Sequence, residues 1–404
     1  MIAELIGIPN AIISYPIRFF VFFLALFQLP RAYSFWRIAP PIMRQGIAAF
    51  GLFWIVFYSR ALYELYVKEV ANSANISVYL TFPFLVSGIP TLALMQPMKE
   101  SQTKFLRDFF TIVGFGCTSL FVLNIVKMSP EQKALRLLEG RFGLENLNPI
   151  SAGYVGAVAG LAAISFIVEE GSLPHKNWSR ILFGAVSAVM GVAMVLLAAS
   201  RAPLVAFFVG VMVLLVAEYR IQERAKPRRR IALSLGVSLA LVSVITLVGA
   251  QLIFGLNPFG RFETAFGDDP THHNSGTHRL LIGEMAMEHF LTNPLIGNAA
   301  FINSVEVYPH NILIEALMAG GILAGIPLIF LAALATLGWI KMITARQNPL
   351  LIALAFVWAI AAGNSGVIVE NTESWGVMAV MIGFAVTLPF PKKSAEGSAL
   401  QNPA

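Results

Sequence analysis

YPHNILIEALMAGGILAG, residues 308–325, opens an apolar run that continues to Ile340 with Thr336 as the one polar side chain after Glu315. From 311 to 340 the run makes about 45 Å of straight α-helix, more than a hydrocarbon core of about 30 Å. It has no period of two, so it reads as a membrane helix rather than a strand. The excess length predicts either a helix that projects beyond the bilayer or one that bends, at Gly320-Gly321 or at Pro327. Gly321 and Gly325, four apart, admit close approach of a neighbouring helix. At the mouth of the run stand His310 and Asn311, side chains that are costly to bury in lipid.

The same pattern recurs along the chain. Hydrophobic residues make up 57% and charged residues 12%, about half the charged share of an ordinary soluble domain. Apolar runs lie at 11–29, 46–63, 76–97, 105–126, 150–168, 181–199, 203–218, 231–254, 311–340, 349–366 and 375–390. The expected fold is all-α, a polytopic transmembrane helical bundle of about eleven spans. The range is ten to twelve, because Arg18 allows the first run to be split or re-entrant. That run lacks a small-residue cleavage site and is expected to be retained. A single cysteine, Cys117, excludes an intrachain disulfide.

The loops set the expected orientation. RIQERAKPRRR, residues 220–230, holds six basic residues in eleven, which marks a cytoplasmic loop. Counting outward, Arg31, Arg37 and Arg44, then Lys99, Lys104 and Arg107, then Lys341 and Arg346, and finally Lys392 and Lys393 also fall inside. The 127–149 loop is basic yet falls outside; its PEQKALRLLEGRF stretch reads as an amphipathic helix on the membrane surface. The net charge of +6 is thus accounted for by topology, and no nucleic-acid partner is expected. The chain divides into eight spans over 1–254, an extracytoplasmic loop with an amphipathic helix over 255–309, three spans over 310–391, and a disordered cytoplasmic tail over 392–404. Five of the six histidines fall between 255 and 310. That loop faces away from ATP and soluble cytosolic cofactors, and no cofactor is expected.

Three constellations fall at the outer membrane face. In Ser200-Arg201-Ala202-Pro203 a tight turn joins two apolar runs. The second run reaches only 14 residues before Glu218, so Arg201 is expected near the hydrocarbon boundary, where a charge faces the bundle interior or a wet cavity. GTHRLLIGEMAMEHFLTNPLIGN, 276–298, reads as an amphipathic helix stopped by Thr292-Asn293-Pro294, with Arg279, Gly283, Ala286 and Phe290 near one face. Arg279 sits in its first turn, where a cation gains nothing from the helix dipole; an anion is the simplest reason for it. His310 stands at a helix start, where exposed N–H groups favour an anion and an imidazole can take a proton near neutrality. Two arginines fit a diphosphate through planar, paired hydrogen bonds. A base beside a diphosphate leaving group is the chemistry of group transfer to a hydroxyl.

SRAPLVAF (200–207), THRLLIGEMAMEHFLTNPLIGNA (277–299) and PHNILIEALMAGGILAG (309–325) together resemble the O-antigen ligase and polymerase superfamily, with NPISAGY (148–154) at the head of the fifth span. The resemblance implies a metal-independent, inverting glycosyltransferase of the bacterial inner membrane with its active site facing the periplasm. Its members take a glycan from undecaprenyl diphosphate and pass it to lipid A–core in ligases, or to another lipid-linked glycan in polymerases. By this resemblance Arg201 and Arg279 hold the diphosphate, His310 orients or deprotonates the acceptor hydroxyl, and Asn311 and Glu315 position the histidine. The central motifs favour the ligase label, with a polymerase as the alternative. A lipid-linked sugar transporter or flippase is the alternative of a different class; it predicts broken helices and internal repeats. Asp268, Asp269, His272, His273 and His278 include metal-binding residue types, but their loop has no regular ligand spacing. It reads as an acceptor-facing loop, and no metal is expected.

Overall fold

A computed structural model describes residues 10–67, 87–133, 148–221, 275–300, 309–364, 368 and 371–389. The span expected at 231–254 and the first half of the one at 76–97, most of the 127–149 surface helix, the Asp268–His273 cluster and the tail lie outside these residues. Among the described residues every regular element is helical: α1 Asn10–Ile38, α2 Pro41–Tyr66, α3 Ile89–Leu94, α4 Glu100–Lys127, α5 Pro149–Ser172, α6 Trp178–Ala198, α7 Arg201–Ile221, α8 Ser275–Thr292, α9 Ile312–Thr344, α10 Pro349–Asn364 and α11 Thr372–Thr387. Seven of them, α1, α2, α4, α5, α6, α7 and α9, are long and apolar enough to cross a membrane, and α10 and α11 are shorter apolar helices. The first apolar run belongs to one continuous helix rather than a split one.

Two cores organise the bundle. In one, Leu161 and Ile164 of α5, Val195 of α6, Phe207 and Leu214 of α7, and Val357 of α10 pack together. In the other, Phe50, Phe53 and Trp54 of α2, Leu331 of α9 and Trp375 of α11 pack with Met95. α10 links the two, since it packs along α7 and also against α9 and α11. The α5–α6 crossing is backbone-close: a Cβ added to Gly191 would sit 2.7 Å from Gly160 N. Without a hydrophobic drive between helices in lipid, such small-residue contact is what holds spans together. α1 turns its large side chains outward, with Phe27 81% exposed, as befits a lipid-facing helix.

Two sequence expectations are corrected here. α7 is a full span of 21 residues; it continues past Glu218, which is buried, so the charge does not end the helix. α9 does bend, at Gly321 (φ 58°, ψ −150°), while Pro327 is carried inside the helix. What approaches Gly321 is a loop rather than a helix: a Cβ there would meet Pro294 O at 2.4 Å. Around the break, Ile322 N donates to Pro294 O at 2.9 Å and Leu323 N to Leu295 O at 3.3 Å, while Asn298 N donates to Met318 O at 3.0 Å. The break lies nine residues inside α9, about 14 Å along its axis. Irregular backbone at such depth persists where the protein itself supplies the hydrogen bonds.

Candidate active site at the end of α10

The final carbonyls of a helix have no intrahelical partner and carry partial negative charge. At the C-terminal end of α10 two of them are taken by side chains from elsewhere. Arg279 Nη1 donates to Asn364 O at 2.9 Å, and Asn311 Nδ2 donates to Gly363 O at 3.0 Å. This explains why a cation stands near the start of α8: the helix end it serves is that of α10. The same two bonds bring α8 and the start of α9 to one point.

Asn311 is also the N-cap of α9. Its Oδ1 accepts from Leu313 N at 3.0 Å and Ile314 N at 3.2 Å, so both ends of the amide hold backbone. His310, half-buried, precedes it with φ +52°. A non-glycine residue in this region is uncommon and marks a constrained position. Glu315 lies one turn into α9, fully buried, and its Oε2 accepts from Ile368 N at 2.8 Å. That hydrogen bond runs to the α10–α11 connection.

Arg201 opens α7 directly after a sharp turn. Ala199 closes α6 in the left-handed conformation (φ 44°). Gly153 of α5 lies under the turn, where a Cβ would come 2.6 Å from Pro203 Cβ. α5 therefore brings Tyr154 to the same end, buried and stacked on Trp358 of α10 with ring centres 5.6 Å apart. Arg201 and Arg279 are close enough for their guanidinium charges to repel. Burial pushes the Arg279 guanidinium below its ordinary value, and Tyr154 opposes that shift; arginine nonetheless stays a cation at neutral pH. The chain thus holds two like charges together in a partly desolvated place, an arrangement an anion offsets.

Arg201, Arg279 and Asn311 are thus gathered around the end of α10, with His310 next to Asn311 in the chain, while Glu315 acts one turn deeper. The face read for α8 is rotated: its buried stripe is Ile282 and Ala286, packed on Ala299 and Met318, and a Cβ at Gly283 meets open space. Sequence reasoning missed Tyr154 as a site residue, although the NPISAGY stretch contains it. It also missed the α10 carbonyls, which no side-chain motif announces. Among the described residues no group of three His, Cys, Asp or Glu side chains is gathered to hold a metal.

One cavity begins beside the site and another lies far from it. An apolar groove of about 390 Å³ runs between α9, α10 and α11, lined by Ile312, Ala335, Trp339, Trp358, Ala362 and Met378. It starts beside the site, since Ile312 follows Asn311 and Ala362 precedes Gly363. A cavity of about 400 Å³ at the opposite end of the bundle is lined by Glu100, Lys104, Arg107, Glu169, Glu218 and Arg346. There Lys104 pairs with Glu100 and Glu169, and Arg107 with Glu169 and Asp108.

A family model described as O-antigen ligase matches residues 185–329. No curated protein and no solved structure matches the chain. The matched stretch runs from within α6 to within α9 and contains Arg201, Arg279, His310, Asn311 and Glu315; Tyr154 precedes it. Over residues 185–329, this multi-pass membrane chain is similar to the O-antigen ligase family.

Proposed function

We propose that the α10 end is the active site of an O-antigen ligase-like glycosyltransferase. It moves a glycan from undecaprenyl diphosphate to an acceptor sugar hydroxyl, on lipid A–core or a related glycan, at the periplasmic face of the inner membrane. The observation that carries this reading is the juxtaposition of Arg201 and Arg279 beside the helix start that bears His310. The acceptor oxygen attacks the anomeric carbon, forming the new O–C bond. The bond from that carbon to the diphosphate oxygen breaks, and the diphosphate leaves with the electron pair. His310 receives the acceptor proton. The two guanidiniums offset the charge that develops on the leaving group. A single displacement inverts the anomeric configuration, and no metal is needed. The apolar groove beginning at Ile312 and Ala362 suits the polyprenyl chain of such a donor.

A polymerase would use the same machinery with a second lipid-linked glycan as acceptor. The transporter reading draws support from the broken α9. Here, however, the break is stitched by backbone from 294–299, whereas transporters open such breaks to their cargo. Purified protein given donor alone, donor with lipid A–core, and either mixture with EDTA tests the assignment. We expect a single shifted product that requires lipid A–core and survives EDTA. A ladder from donor alone would make the protein a polymerase. Translocation of labelled donor across vesicles without any transfer would replace the assignment with a flippase.

A further inference from the structure

α2 is apolar from Gly46 to Phe57, and its last two turns carry Arg60 and Glu64 four residues apart. Glu64 is 1% exposed. Its Oε1 accepts from Arg60 Nε at 2.9 Å and from the backbone N–H of Ala300 at 2.8 Å. Ala300 is itself buried. It ends the strip of chain that stitches the α9 break, where Asn298 and Ala299 both donate to Met318 O. Glu64 is therefore the last described attachment of the chain before it runs on to His310. The attachment crosses from α2, outside the family-matched residues, to the strip inside them.

A buried ion pair is a poor device for stability alone, because apolar side chains of similar size usually serve as well. An amide anchor is different. Ala300 N–H needs an acceptor, and a carboxylate reaching from α2 supplies it while Arg60 balances the charge. We propose that Glu64, paired with Arg60, is a positioning residue that fixes Ala300 and thereby the approach of the chain to His310. The claim about turnover rests on the transferase reading above; the claim about the anchor does not. α8 keeps its own attachment through Arg279 to Asn364 O, so donor binding is insulated from the anchor.

The test compares wild type with three variants of the full chain in detergent: Glu64→Gln, the double variant Arg60→Leu with Glu64→Leu, and the reversed pair Arg60→Glu with Glu64→Arg. Four quantities are read: thermal stability, hydrogen exchange of the peptide covering 297–300, and kcat and KM for the lipid-linked donor. We expect the leucine pair to keep its melting temperature within a few degrees. Its exchange should rise tenfold or more, and its kcat should fall at least tenfold with donor KM within twofold. The reversed pair should behave the same way, because arginine carries no acceptor. Glu64→Gln, which keeps an acceptor oxygen, should retain most of the protection and most of the turnover. Wild-type exchange and turnover in the reversed pair would overturn the proposal and reduce Arg60 and Glu64 to a structural ion pair. Unchanged exchange in a folded leucine pair would overturn it as well. If wild type transfers no glycan, the transferase reading falls, and the exchange arms still decide the anchor.

Discussion

His310 occupies a left-handed backbone position, φ +52°, where a side chain costs about 1–2 kcal/mol relative to glycine. A purely structural residue at such a position is replaced by glycine with profit. A residue kept for its imidazole is not. His310→Gly is therefore expected to leave the melting temperature unchanged or raised while glycan transfer disappears; thermal unfolding and a transfer assay on one preparation check it. Transfer retained in that variant would assign the histidine to the turn alone. Asn311 is the contrary case. Both ends of its amide are committed to backbone, so its contribution is to hold α9 against α10, and its reach to a substrate is secondary.

At the scale of elements, the informative one is α9. Its length showed in the sequence that it had to project or bend, and Gly320-Gly321 was one of two places for the bend. The partner was not legible. The strip 294–299 lies only about 25 residues earlier in the chain, but backbone hydrogen bonds across a helix break leave no side-chain signature. The α10 carbonyls that take Arg279 and Asn311 were hidden for the same reason. What side chains announce, the Arg201 turn and the His310-Asn311 helix start, was readable; what the main chain does was not. Gly321→Ala places a Cβ 2.4 Å from Pro294 O on a backbone that L-residues avoid, a conformational cost of about 1–3 kcal/mol before the clash. We expect a melting temperature lowered by several degrees and a marked loss of transfer. A variant as stable and active as wild type would mean the break is not held as described.

At the scale of the molecule, the site lies at the seam between two cores. Arg201 and Tyr154 come from the α5–α6–α7 side, and His310, Asn311 and Glu315 from the side built on α2, α9 and α11. α10 belongs to both and ends where they meet. The proposed orientation, read from the loop charges, puts this end on the outer face of the membrane. In a Cys117→Ser background, Glu284→Cys on the exposed side of α8 should react with an impermeant maleimide in intact cells. Lys176→Cys, at the other end between α5 and α6, should react only after permeabilisation; the reverse pattern would put the site in the cytoplasm and exclude a periplasmic acceptor. Loss of one charge-assisted hydrogen bond costs about 1.5–3 kcal/mol, roughly 10- to 150-fold in donor affinity. The most direct test of the central claim counts undecaprenyl diphosphate released from lipid-linked glycan in the presence of acceptor, for wild type, His310→Ala and the pair Arg201→Lys with Arg279→Lys. The account predicts release by wild type, none by His310→Ala although it still binds donor, and at least tenfold weaker donor use by the lysine pair; release by all three at equal rates would contradict it.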